Sequence, residues 1–114
     1  MTYEKARELA KQLQESEEFQ AFQAAREVAF ADETAANLLR AFRKLQLQAQ
    51  AEMVAGNEPS PELQEQLKGL YEILQHSQDV MNYLMAEHAV NQIMSDIYKI
   101  LADAVEIDLH FLED

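Results

Sequence analysis

The sequence predicts an all-α protein: a helical hairpin followed by a long C-terminal helix, about five helices in all, assembled as a dimeric helical bundle. Three observations carry this. Only two Gly and two Pro occur in 114 residues, so a chain rich in Ala, Leu, Glu and Gln favours helix throughout on propensity. Apolar residues recur at spacings of three and four, the period of a helix face. Finally, residues 79–109 contain no breaker and predict one helix of roughly 45 Å at ~1.5 Å per residue. Along that run Leu84, Val90, Ile93, Met94, Ile97, Leu101, Ala104, Val105 and Ile107 form a stripe, which Val80, Met81, Met85, Ala89, Ile100 and Ala102 widen. A stripe well beyond the ~100° that covers one neighbour asks for cover from two sides. So short a chain is not expected to supply both along the whole length, and a second copy or another partner is expected to supply the rest.

Taken in order, Thr2 is the expected cap of a first helix over 3–15, with Ala6, Leu9, Ala10 and Leu13 on one face. Ser16 followed by Glu17 and Glu18 reads as a restart, a capping hydroxyl ahead of carboxylates that the helix dipole favours. The second helix, to about Phe30, presents Phe19, Phe22, Ala25, Arg26 and Ala29 along one side, as core. Asp32 and Glu33 open a third, to about Ala55, with Leu38, Leu39, Phe42, Leu45, Ala49 and Met53 as its stripe. Residues 56–61, Gly-Asn-Glu-Pro-Ser-Pro, are the one strong turn signal: Gly56 stops a helix, Ser60 caps the next, and Pro61 takes its first position. Leu63, Leu67, Leu70 and Leu74 then form the returning face of an antiparallel hairpin. A break is expected at His76-Ser77, although the apolar phase nearly carries through. The tail, 110–114, is expected to fray, with Phe111 and Leu112 able to clip onto a neighbour.

Length suits a single domain over residues 1–114. The formal charge is -12, from 21 acidic and 9 basic residues, a field that repels phosphate backbones and anionic lipid. Direct nucleic-acid binding by the chain alone and membrane association are therefore not expected. There is no cysteine, hence no disulfide, thiolate nucleophile or cysteine-ligated cluster. Met1-Thr2-Tyr3-Glu4-Lys5 leads into charged sequence, and no uncharged run approaches ~18 residues, so a cytoplasmic protein is the expectation.

Candidate chemistry is sparse. Glu72 and His76, and Glu106 and His110, each stand four apart, a spacing that can hold a metal on a helix face. The Glu-x-x-His motif of helical-bundle metal sites is absent, so no metal or cofactor is expected and a metal-binding helical protein is the alternative. With no His-Glu-x-x-His, phosphate loop or nucleophile elbow, the chain is not expected to be an enzyme. Arg40, Arg43 and Lys44 form the one basic cluster, set away from Leu39 and Phe42. It reads as a solvated face or as a docking point for an acidic partner, or for RNA held in a larger complex. Met81 and Met85 suit either core packing or a partner groove.

The order of these signals is itself informative. Ser16-Glu17-Glu18-Phe19, Asp32-Glu33, Leu39-x-x-Phe42-x-x-Leu45-Gln46, the turn at 56–61 and Tyr83-Leu84-Met85-Ala86-Glu87 follow one another along the whole chain. This pattern resembles the YlbF/YmcA family of small helical bacterial proteins, most closely its uncharacterised YheA-like branch. The resemblance implies a cytoplasmic homodimer whose long helices pair between protomers. It also implies an interaction or regulatory role tied to mRNA processing, competence, sporulation or biofilm formation. Some relatives carry cysteines associated with an iron-sulfur cluster; this chain has none, so that cofactor does not carry over. The expected dimer seam is Val90, Ile93, Met94, Ile97, Leu101 and Ala104, and a further protein partner is expected to dock at Arg40, Arg43 and Lys44.

Overall fold

The structure is a computed structural model that describes residues 1–106. Five helices follow one another: α1 Glu4–Glu15, α2 Glu17–Ala31, α3 Glu33–Val54, α4 Pro61–Leu74 and α5 Gln78–Ala104. No strand occurs among the described residues, so the all-α class and the helix count are those the sequence predicts.

Most of the boundaries are set by local side-chain chemistry. Ser16 Oγ donates to the Leu13 carbonyl at 2.7 Å and accepts from the Phe19 N–H at 3.2 Å, closing α1 and opening α2. Asp32 Oδ2 accepts from the Ala35 N–H at 3.1 Å, and Ser60 Oγ from the Leu63 N–H at 3.2 Å. Each side chain satisfies one of the orphan donors at a helix start. Gly56, at φ +86, ends α3: its N–H reaches the Met53 carbonyl at 3.0 Å while the Asn57 N–H reaches that of Glu52 at 2.9 Å. These two bonds are a Schellman motif, which needs a left-handed residue at this point.

The two glycines thus predict opposite results. A Cβ on either meets no atom within 4 Å, so only the backbone decides. Gly56→Ala is expected to cost about 1 kcal/mol because alanine strains in the left-handed region. Gly69→Ala, within α4, is expected to stabilise by ~0.5–1 kcal/mol by restricting the unfolded chain. Chemical denaturation of the two variants reads both.

Two expected boundaries differ and one holds. Thr2 does not cap α1; Tyr3 occupies that position in a left-handed conformation, φ 45, with no side-chain hydrogen bond. Helices α4 and α5 are separate, as expected: the N–H groups of His76 and Ser77 turn back to the carbonyls of Ile73 and Leu74, and Ser77 Oγ accepts from the Val80 N–H at 3.3 Å. Ser77→Ala is expected to cost about 1 kcal/mol, seen as a lower denaturation midpoint. At the other end, α5 closes at Ala104 and not at Leu109, with Glu106 at φ 61. No basic residue lies in its last turn, and Asp103 and Glu106 set carboxylates against the negative pole of the dipole, which weakens that end. The expected frayed tail at 110–114 lies outside the described residues.

The chain divides into two compact units, one of residues 23–84 and one of residues 1–22 with those from 85 onward. The first holds most of the core. Ala29, Ala36, Leu39, Phe42, Ala49, Leu63, Leu74, Val80 and Tyr83 are all buried there, with Leu74 and Val80 the largest side chains fully enclosed. Within it α3 and α4 form the hairpin, with Phe42 at the middle of α3 against Tyr71 in the last turn of α4, ring centroids 6.1 Å apart. The Ser60 N–H donates to Glu52 Oε2 at 3.2 Å across the turn. Phe30 meets Tyr83 edge-on at 5.5 Å, tying the end of α2 to the start of α5.

The second unit is thinly packed. Among its described residues only Ala102 is buried; Leu9, Leu13, Phe19, Phe22, Val90, Ile93 and Ile97 are half-buried, and α1 has no buried residue at all. Phe19 and Phe22 stack at a tilt, centroids 6.1 Å apart. Among the described residues, no helix is long and apolar enough to cross a membrane.

Candidate interaction surfaces

Two surfaces stand out, one in each unit. The first is the C-terminal half of α5. Met94, Tyr98 and Leu101 follow at spacings of four and three, with Val105 just past the helix end at Ala104, and each is 50–65% exposed. That spacing keeps side chains on one face of a helix, so they form a continuous apolar stripe in water. Ile100 is also exposed, on a different face. Of the residues predicted for a dimer seam, Met94, Leu101 and Ala104 are exposed, whereas Val90, Ile93 and Ile97 are half-buried. The reason is local: Val90, Ile93 and Met94 line a hollow of ≈ 140 Å³ together with Leu13, Gln14, Ser16 and Phe19 of the same chain. The most exposed stripe is therefore turned by about one residue from the predicted one, bringing in Tyr98 and Val105 and leaving Met94 and Leu101 common to both. Sequence periodicity cannot see this, because it does not say which flank of a wide stripe α1 and α2 cover.

The second surface lies on α3. Arg40, Arg43 and Lys44 line a hollow of ≈ 300 Å³ with Phe30, Leu39, Phe42, Leu47, Tyr83 and Leu84. The expectation that these cations are set away from Leu39 and Phe42 is thus corrected: α3 carries them on the flank of its buried stripe, and α2 and α5 complete the walls. The Arg40 guanidinium sits over the Phe30 ring, 5.6 Å from its centroid, while Nη1 donates to Asn37 Oδ1 at 3.2 Å. A cation so placed is held by the ring's negative face while its outer edge stays in water. Arg43 is half-buried, whereas Arg40 and Lys44 are exposed.

Of the candidate metal ligands, Glu72 and His76 do not come together. Glu72 is on α4, but His76 follows the helix's last residue, Leu74, so the two do not share a helix face. Glu106 has left α5, and His110 lies outside the described residues. Among the described residues, no group of three or more His, Cys, Asp or Glu could hold a metal ion. His76 and His88 are both exposed.

These observations describe a small all-α protein whose distinctive features are an apolar helix face and a cation-rimmed hollow. The family model described as "Control of competence regulator ComK, YlbF/YmcA" matches residues 2–106. The chain belongs to the YlbF/YmcA family, as its pattern predicted. It is 41% identical over 109 residues to a UPF0342 protein of Symbiobacterium thermophilum, covering 96% of this chain and 97% of that one. A UPF0342 protein of Caldicellulosiruptor saccharolyticus is 36% identical over 105 residues, covering 92% and 88%. Among solved structures, a protein of unknown function (DUF964) from Bacillus stearothermophilus superposes with a TM-score of 0.73 at 24% identity, over 89% of each chain. Bacillus subtilis RicA, solved in complex with RicF, gives 0.58 at 20% identity over 90% of each. Both likenesses concern the fold.

Proposed function

We propose that the chain is a non-catalytic interaction protein of the bacterial cytoplasm, a homodimer paired through α5 that docks on protein partners and acts in regulation. The regulated processes fitting the family are mRNA processing, competence, sporulation and biofilm formation. The observation that carries the proposal is the exposed stripe of Met94, Tyr98, Leu101 and Val105. Three large apolar side chains along one helix, with a fourth directly after its end, make a surface that soluble proteins cover with a partner. In the second unit, where Ala102 alone is buried among the described residues, a second copy also supplies the core that one chain lacks. The seam is read as Met94, Ile97, Leu101 and Ala104 with Tyr98 and Val105 beside them, and Val90 and Ile93 continue it toward the N-terminal end of α5.

Two further observations support the reading. RicA, which shares the fold, was solved with a protein partner, RicF. Glu72 and His76, the pair that the metal-binding alternative would use, fall on different segments.

The absence of cysteine makes a direct test simple. A nitroxide attached through Asp103→Cys, exposed in the last turn of α5, is expected to show dipolar coupling between labels. Dilution with unlabelled protein should abolish that coupling. A spectrum without coupling at micromolar concentration contradicts pairing through this end of α5.

A further inference from the structure

We infer that the hollow on α3 is a docking socket for a short acidic, amphipathic peptide segment of a partner protein, one that inserts a bulky apolar side chain while its carboxylates meet Arg40 and Lys44. The inference deepens the interaction-protein reading and rests on it. It adds the chemistry of the partner.

The shape of the site selects the occupant. Its floor is apolar and aromatic: Leu39, Phe42 and Tyr83 are buried, Phe30 and Leu84 half-buried, and the exposed Leu47 stands at one edge. At ≈ 300 Å³ it can receive one large side chain and part of a second. Arg40, Arg43, Lys44 and Leu47 stand at i, i+3, i+4 and i+7, so they form one ridge along α3. That ridge places cations beside the apolar floor over about two helical turns. A segment carrying leucine or phenylalanine flanked by glutamate or aspartate matches both parts at once.

Charge makes the match selective. The protein carries 21 acids and 9 bases, and three of those bases line this one hollow. Arg40 is already oriented by the Phe30 ring and the Asn37 side chain, so little of its freedom remains to be lost when a carboxylate binds. Arg43 forms the half-buried wall between the two exposed cations and is not required to be free.

A nucleic acid fits less well. The net charge of -12 opposes a polyanion along its whole length, whereas a short acidic segment presents only a few charges to the local cations.

The test uses the full chain and three probes in calorimetric titration at low salt: a synthetic helical peptide with Leu and Phe at helical spacing among Glu residues, the same peptide with Lys for Glu, and oligouridylate RNA. The acidic peptide is expected to bind saturably at one site per chain, more weakly as salt rises. Arg40→Gln combined with Lys44→Gln is expected to weaken it by about tenfold or more, and Leu47→Asp to do likewise. The two charge changes are surface substitutions, and an unchanged helical circular dichroism spectrum and melting temperature establish that the variants fold. Equal binding of the lysine peptide, no binding of the acidic one, or an affinity indifferent to these substitutions overturns the socket. RNA that binds more tightly than the acidic peptide and is lost with the same substitutions also overturns it, in favour of a nucleic-acid surface. Oligomeric state, measured separately by light scattering, is untouched by these outcomes, so failure of the socket and failure of the dimer are told apart.

Discussion

If α5 pairs as proposed, replacing Leu101 by aspartate is expected to leave a folded monomer where the wild type is a dimer. Leu101 is 58% exposed in the single chain, so a carboxylate there costs the protomer little. In a paired α5 the same carboxylate faces apolar side chains of a second copy with no cation provided for it. Burying an unpaired charge in this way is expected to weaken association by about 3 kcal/mol or more, on the order of a hundredfold in the dissociation constant. Ile97→Asp should also break the dimer, but Ile97 is half-buried within its own chain, so that variant should lose protomer stability as well. The contrast separates a seam residue from a packing residue. Sedimentation velocity with circular dichroism on both variants reads it: Leu101→Asp monomeric and helical, Ile97→Asp monomeric and less stable.

The largest loss of fold stability is expected from Leu74→Ala. Leu74 ends α4 and is 2% exposed, one of the two largest side chains fully enclosed. Truncation removes its burial and leaves a cavity that the hairpin and the start of α5 fill only in part, at about 3 kcal/mol. The melting temperature should fall by about 10 °C for a chain of this size. Two features make the site unforgiving. The segment from Gln75 to Ser77 turns directly after it, so the backbone cannot slide inward without breaking the His76 and Ser77 turn hydrogen bonds. Val80, 1% exposed in the first turn of α5, is fully enclosed in the same unit, so that unit's core has little slack for repacking. Thermal unfolding followed at two protein concentrations measures the effect and separates it from any change in dimerisation. A loss below 1 kcal/mol would mean that this unit's core is looser than the burial of Leu74 implies.

What could be read from sequence divides along a physical line. Asp32, Ser60 and Ser77 act within three residues of themselves, and Gly56 acts through its own φ, so the chemistry that sets those boundaries is present in a short window. The hairpin follows from them. At the end of α5 no such residue exists: no Gly or Pro marks the stop at Ala104, and a run without breakers reads on past it. Thr2 was a fair cap by composition, yet Tyr3 takes the position without a side-chain bond.

The surfaces follow the same division. That Arg40, Arg43 and Lys44 cluster is visible in sequence because they share one turn of helix. That they border an aromatic floor is not, because Phe30 and Tyr83 are contributed by α2 and α5 and meet only in three dimensions. For α5 the excess of apolar residues was legible, and it is what implied a partner. Which edge of the stripe faces water depends on α1 and α2, whose Leu13 and Phe19 stand beside Val90, Ile93 and Met94. The exposed line consequently runs through Val105, which periodicity placed in the stripe, and through Tyr98, which it passed over because a tyrosine is not an aliphatic member of the pattern.

The account depends on α5 meeting a second copy, and the molar mass of the untagged wild-type protein tests this most directly. Light scattering on the eluting peak at micromolar concentration is expected to give about twice the 13.1 kDa of the chain. A mass of one chain, unchanged as concentration rises, would contradict it.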